Sequence, residues 1–463
     1  MSQNPRASRV KGGPPLWLWG MLIFATVLMV IRLIVSAVPE DPAQLYQGAL
    51  QELNGGSKDE FLRTLNRLKQ YPEYSDHITL LKGIRAAHES RDPKAIDFFK
   101  QVQTNVELKS MALQKMGESL TRMGDFPEAI EKYEEAIRSA PKTADQSRLM
   151  LARLYQVVGA LTLAESTLTE IIAGNNAHIT ARRMRAQVRT SLFRYTEAAE
   201  DYSGTLTTPG DIAAASPEAI SQYTICLVKT GDTEKMAEFA KQNLNLVSEN
   251  SLKARLLFEG GDLEGARGIL SGAPPEEFNS QPELAKLRLE IAVNDGEILI
   301  AKKHLPEGLA QMPRDDEFFK IATAVYKATG DLENAEIAEQ NVQQLDDLQK
   351  QLLEALVSAG NNIDDVDARF QVATLYAKTG RYSDARQWFL TGGNIDSERA
   401  SEAQQLMLEQ LQLAATPLVE FEHKASPQTA SEEKDSSAKA DESSSDDKPQ
   451  DAAPESTEGN ENK

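Results

Sequence analysis

"GESLTRMGDFPEAIEKYEEAIRSAP", residues 117–141, sets Gly117, Gly124, Ala129, Tyr133, Ala136 and Pro141 along two amphipathic stretches divided by "MGDF". With Gly124 taken as a turn position, a small residue stands seven before it, a large apolar residue four before, an alanine five after and an aromatic nine after. The apolar residues on either side of the break recur at helical spacing, which predicts two helices packed as a pair. Small residues let the helices approach and bulky ones fill the groove between them. A proline ends the second helix because it cannot donate the next hydrogen bond.

The pattern recurs. Stepping back from Gly124 reaches Ser90, with Gly83, Ala95 and Phe99 at matching offsets and only alanines, Ala86 and Ala87, around the slot of the large residue, and then Gly56 with Gly48, Phe61 and Leu65. Stepping forward reaches Gly159 with Ala152, Tyr155, Ala164 and Leu168, then Phe193 in the turn slot with Ala186, Ala198 and Tyr202. The middle is looser, at Gly231 with Leu227 and Met236 and at Gly261 with Ala254, Leu257, Ala266 and Leu270. Regularity returns at Gly296 with Ala301, Leu305 and Pro313, at Gly330 with Tyr326 and Ala335, and at Gly380 with Ala373, Tyr376, Ala385 and Phe389. Successive turn positions lie 34, 34, 35, 34, 38, 30, 35, 34 and 50 residues apart. Such a period predicts stacked helix-turn-helix units, each leaving an apolar face that only its neighbour covers, in a quasi-one-dimensional array.

The stretch "MGESLTRMGDFPEAIEKYEEAIRSAP" closely resembles the tetratricopeptide repeat, with Gly117, Ala129, Tyr133, Ala136 and Pro141 at its signature positions. The resemblance covers about ten units over residues 41–395. It implies an all-α, right-handed superhelical solenoid whose concave groove, lined by the first helix of each pair, binds an extended peptide or a partner's helix. The family's consensus tryptophan is absent, and the units at Gly231 and Gly261 equally fit generic helical hairpins at which the superhelix bends. The long final interval contains "AEIAEQNVQQLDDLQKQLLEALVSAGNN", which reads as a lengthened second helix or an extra helix that closes or kinks the array. Residues 396–413 read as a capping helix with a polar outer face.

At the N-terminus, residues 16–38, "LWLWGMLIFATVLMVIRLIVSAV", form an apolar run long enough for one transmembrane helix. Arg6, Arg9 and Lys11 precede it and Glu40 and Asp41 follow, so the positive-inside rule keeps residues 1–15 cytoplasmic and exports the repeats. Trp17 and Trp19 would mark the inner interface, and Arg32 lies near enough to the far end to snorkel. A cleaved signal peptide ending at "VSA" is the rival reading, and it also exports the body. The expected location is a bacterial-type inner membrane with the repeats on the periplasmic side; a cytosol-facing domain on an organelle outer membrane is a further alternative. At the other end, residues 414–463 are rich in Ser, Glu, Asp and Lys, and are expected to form a disordered acidic tail, either a spacer or an interaction segment.

The formal net charge of -20 argues against general nucleic-acid binding, which draws its affinity from a basic surface. A protein or peptide is the expected partner. The single cysteine, Cys226, excludes an internal disulfide and reads as a small buried hydrophobe within "YTICLVK". The five histidines are scattered, and no HExxH, GxGxxG or GxxxxGK[ST] occurs, so no catalytic, metal or cofactor residues are expected and the chain does not read as an enzyme. "EGGDLEGARG" falls on a repeat turn, with no strand before it and no Lys-Ser/Thr after it, so it reads as structural and not as a phosphate loop.

"ARRMRAQVRTSLFRY" concentrates Arg182, Arg183, Arg185, Arg189 and Arg194 within this acidic protein. The helix-pair register directs Arg183 and Gln187 into the groove, with Leu149 and Arg153 from the preceding unit and Gln114, Glu118 and Arg122 from the one before. Gln114, Arg122, Arg153, Arg183 and Gln187 are therefore the candidate partner-binding residues, suited to a carboxylate or an acidic peptide. The other reading pairs these arginines with acids of neighbouring helices. The family's lysine and asparagine clamp for chaperone tails does not match these positions. The function that the resemblance implies is a membrane-anchored scaffold for assembling an envelope or secretion complex; the alternatives are a holdase for newly translocated proteins and an accessory subunit of polysaccharide synthesis or export.

Overall fold

The computed structural model describes residues 20–21, 23–29, 40–55, 57–206, 208–413 and 417–421. Gly56, most of the apolar run at 16–38 and most of the acidic tail lie outside them. Everything described below belongs to the unit that ends at Val419.

Helix pairs follow one another from Pro42 to Ile395, and no strand occurs among the described residues. The unit read first is the helix Val106–Met123 followed by Phe126–Ser139. Its offsets have a steric cause. A Cβ on Gly117 would lie 2.9 Å from the Tyr133 ring, so the residue seven before the turn must be small where the residue nine after it is aromatic. Gly83 and Phe99 repeat the arrangement one unit earlier.

All nine described turn residues have positive φ: Gly124, Gly159, Gly231, Gly261, Gly296, Gly330 and Gly380, together with Ser90 at 56° and Phe193 at 59°. A left-handed residue ends a helix by turning its last amides back onto orphan carbonyls. At Gly124 the Asp125 amide donates to the Leu120 carbonyl at 3.0 Å and the Gly124 amide to that of Thr121 at 3.1 Å. The next helix is then capped by the following side chain, Asp125 accepting from the Glu128 amide at 3.3 Å. Asp232, Asp262 and Asp331 do the same after Gly231, Gly261 and Gly330.

The irregular intervals also have local causes. A short extra helix, Pro209–Ala213, lies in the 38-residue interval between the Phe193 and Gly231 turns, whereas another, Pro275–Ser280, precedes the Gly296 hairpin without disturbing the period. In the longest interval the second helix is lengthened, running unbroken from Leu332 to Asn361. Helix Ala400–Leu413 follows the last hairpin and covers it.

One expectation needs correction. The array is not quasi-one-dimensional, because its last part folds back onto the Gly159 and Phe193 hairpins. Leu352, Leu356 and Ala359 of the long helix share one core with Leu161, Leu168 and Ile172. Gly159 has no side chain, and its Cα lies under the Trp388 indole. Arg369, fully buried, donates from Nη2 to the Val158 carbonyl at 3.0 Å and from Nη1 to those of Asn362 and Asp365 at 3.1 and 2.8 Å. Thr391 Oγ1 donates to the Val157 carbonyl at 3.1 Å. The Gly231 to Gly330 hairpins therefore form a circuit of the array that is closed at both ends.

Candidate functional site

The first helices carry the residues singled out for the groove, and the sequence places them on neighbouring units. Ser147 Oγ donates to Gln114 Oε1 at 3.3 Å, joining the first helices of the Gly124 and Gly159 hairpins. Gln114 also donates to Glu118 at 3.0 Å. Arg122 is committed to a neighbour, its guanidinium meeting Asp92 of the preceding unit at 2.5 Å and Ser119 at 2.9 Å. The Arg122 hydrogen bond holds the Asp92 carboxyl below its usual range against the opposing effect of burial.

The arginines of 182–194 divide into two sets. Arg185 grips the buried Asp201 carboxylate bidentately at 2.8 and 2.7 Å, and that hydrogen bonding raises its own pKa. Arg189 joins Asp201 at 2.9 Å and Glu165 at 2.8 Å, while Arg194 joins Glu165 at 2.6 Å and Glu197 at 3.0 Å. Arg182 bonds the Asn176 carbonyl at 2.8 Å. These side chains tie the second helices of the Gly159 and Phe193 hairpins to the helix between them. Arg183 and Arg153 differ. Arg183 has one long bond, to Thr205 Oγ1 at 3.4 Å, and Arg153 is exposed. Neither makes an ion pair among the described residues. Gln187 is exposed on the same helix as Arg183.

A second concave feature arises from the closure and was not anticipated. A cavity of about 390 Å³ opens among Phe193, Tyr195, Lys229, Arg314, Asp315 and Arg381. The Arg381 guanidinium lies 4.7 Å from the Phe193 ring centre and 4.8 Å from that of Tyr376, spanning the joint between the last hairpin and the fifth. Behind it, Lys286 is buried among Glu283, Asp315 and Glu317, each at 2.9 Å, and Lys229 reaches Glu317 at 2.6 Å. Burial opposes the charge of Lys286, but the three acids outweigh it and raise its pKa. Burial likewise opposes the charge of Glu317, yet Lys286 and Lys229 hold its carboxyl down to about 2. Two lysines and three acids thus form one connected ionic network behind the cavity, which Lys229 and Asp315 join to its lining.

Cys226 is fully buried, and burial raises its thiol pKa despite a contact with Thr190 Oγ1 at 3.3 Å. Among the described residues, no group of three or more His, Cys, Asp or Glu is placed to hold a metal.

Residues 111–143 match the family model of the tetratricopeptide repeat. No curated protein matches the chain. Among solved structures, a tetratricopeptide repeat protein from Parabacteroides merdae is 17% identical, with 54% of this chain and 98% of that chain covered at a TM-score of 0.33. The APC/C hetero-tetramer Cut9–Hcn1 is 14% identical over 86% of this chain and 95% of that one, at a TM-score of 0.29. Naa15/Naa10 bound to HypK-THB is 14% identical over 81% and 67%, at 0.34.

Proposed function

The chain is a tetratricopeptide-repeat protein, and from that premise we propose that it is a non-catalytic, membrane-anchored scaffold that holds a protein partner on the first-helix face of its early hairpins. The observation that carries this reading is the division among the arginines. Arg122, Arg185, Arg189 and Arg194 are spent on internal acids, whereas Arg153 and Arg183, on successive first helices, have no carboxylate partner among the described residues. A guanidinium without a carboxylate partner is a ready site for a carboxylate or an acidic peptide, through charge-assisted and often bidentate bonds. Gln114 and Gln187 would add amide contacts along the same face.

The anchor rests on the sequence of residues 16–38. Its described part, residues 20–21 and 23–29, is helical with exposed Met21, Ile23, Phe24, Val27, Leu28 and Met29. Among the described residues no helix is long and apolar enough to cross a membrane. With the charge bias of the flanks, the repeats would stand on the exported side, as part of an envelope or secretion assembly.

The test is crosslinking and capture from solubilised membranes with the full chain and with the Arg153→Ala, Arg183→Ala double variant. One dominant partner at fixed stoichiometry, reduced about tenfold or more by the double substitution, is expected. Equal recovery of many exported proteins by both forms would overturn the scaffold reading in favour of a holdase.

A further inference from the structure

The long helix Leu332–Asn361 carries a polar side chain whose bonding the repeat architecture does not explain. Asn341 is fully buried, and its carboxamide reads both main-chain groups of one distant residue. The Val419 amide donates to Asn341 Oδ1 at 3.0 Å, and Asn341 Nδ2 donates to the Val419 carbonyl at 2.9 Å and to that of Ile337 at 2.9 Å. A carboxamide is the one neutral side chain that offers a donor and an acceptor side by side. Here it presents to Val419 the pair of groups that a neighbouring β-strand would present.

We propose that the face of this helix around Asn341 is a binding site for a peptide backbone, and that the chain's own Pro417–Val419 segment, which bends at Leu418 and Val419, is its resident ligand. The clamp bonds only main-chain atoms, so it admits any residue that has an amide hydrogen and can take the backbone path of Val419. Selectivity comes from the surroundings. A cavity of about 410 Å³ adjoins the clamp, bordered by Leu348 and Leu418 with Arg314 and Lys378 at its rim. Asp347, the acid in that lining, is already engaged by Lys350 and Gln343, each at 3.2 Å. Leu418 is one of the residues that line this space. The site therefore suits a partner segment with one apolar residue before the clamped position, as Leu418 precedes Val419 here.

Only three residues separate Pro417 from the end of helix Ala400–Leu413, so the resident segment is presented at an effective concentration on the order of millimolar. A partner segment must compete with it, and the competition would couple capture of the partner to release of Pro417–Val419. This site uses a second helix near the C-terminal end of the array and none of the arginines at 153 or 183. Its failure and that of the first-helix reading are thus separately visible.

The test uses the full chain and a fluorescent peptide of residues 416–424, TPLVEFEHK, followed by anisotropy. Val419→Pro in the chain removes the amide hydrogen that the clamp requires, and Leu418→Asp releases the segment without changing any residue of the helix. Each variant should bind the peptide at least about tenfold more tightly than the unaltered chain. Adding Asn341→Leu to Leu418→Asp should abolish that gain, and a peptide N-methylated at its valine should bind at least about tenfold more weakly. Unchanged melting temperature and helicity qualify each variant for comparison. Failure of both released variants to gain affinity, or binding indifferent to Asn341 and to N-methylation, would overturn the proposal and leave Asn341 as a tie for the chain end.

Discussion

The Gly124 and Gly159 hairpins are built to one pattern and stand next to each other, yet they are held differently. Above the Gly124 turn there is open space, and among the described residues the unit's helices pack chiefly on those of the Ser90 and Gly159 hairpins. Above the Gly159 turn lies Trp388, and the carbonyls of Val157 and Val158 receive Thr391 and Arg369 from more than 200 residues away. A repeat unit specifies how it meets the next one. It does not specify whether the array will return to it, and that depends on side chains outside the repeat pattern.

The largest effect should follow removal of the residue that sits on Gly159. Trp388 is buried between that turn and Tyr376, and truncating a buried tryptophan to alanine costs about 3–5 kcal/mol. We expect Trp388→Ala to loosen the closure before it unfolds the hairpins. The radius of gyration from solution scattering should rise, and amide exchange in the Gly380 hairpin should accelerate well beyond that of the Gly124 hairpin. An unchanged scattering curve would show that the closure does not depend on this ring.

A matched pair of substitutions sharpens the contrast. Gly124→Ala and Gly159→Ala place the same methyl at the same left-handed turn position, with φ of 82° and 74°. The backbone penalty for a non-glycine residue is common to both, about 1 kcal/mol. At Gly159 the new Cβ also collides with the indole, whose displacement raises the expected total to about 3 kcal/mol. Urea unfolding of the two variants reads the difference directly. Equal costs would mean that Trp388 yields freely and that the two hairpins are held alike.

This contrast also marks what could be read from the sequence. The turn residues could be read because their constraint is local: a small residue seven before, a bulky one nine after, and a chain that must reverse between them. The spacing pointed to Ser90 and Phe193 where glycine is missing, and these are the two non-glycine residues with positive φ among the described ones. The aspartates that cap the next helix, at Asp125, Asp232, Asp262 and Asp331, were a further signal in plain view. Arg369 carried no such mark. Its donors end on a carbonyl 211 residues away, a distance to which no periodicity refers. The arginine run at 182–194 was visible as charge, but its partners Asp201 and Glu165 sit one helix over, and only the fold assigns which guanidinium is spent and which is free. In the acidic tail, composition averaged away the apolar pair Leu418–Val419, the residues beside the Asn341 clamp.

The smallest effect concerns a third kind of contact, the ionic one across the closed circuit. Lys229 of the Gly231 hairpin meets Glu317 of the Gly330 hairpin at 2.6 Å, on a carboxylate that Lys286 also holds at 2.9 Å. Glu317 is 41% exposed, so solvent screens the pair, and Glu317→Gln should cost less than about 1 kcal/mol near neutral pH. Its sign with pH is fixed. The two lysines lower the folded-state pKa from an ordinary 4.5 to about 2, so the contribution is fully present above about pH 4.5 and is lost as the pH falls toward 2. Melting curves of the two forms should be offset at pH 6 and converge as the pH approaches 2. An offset that persists at pH 2 would mean that glutamine disturbs the packing around Lys286, and that the circuit is held there by shape more than by charge.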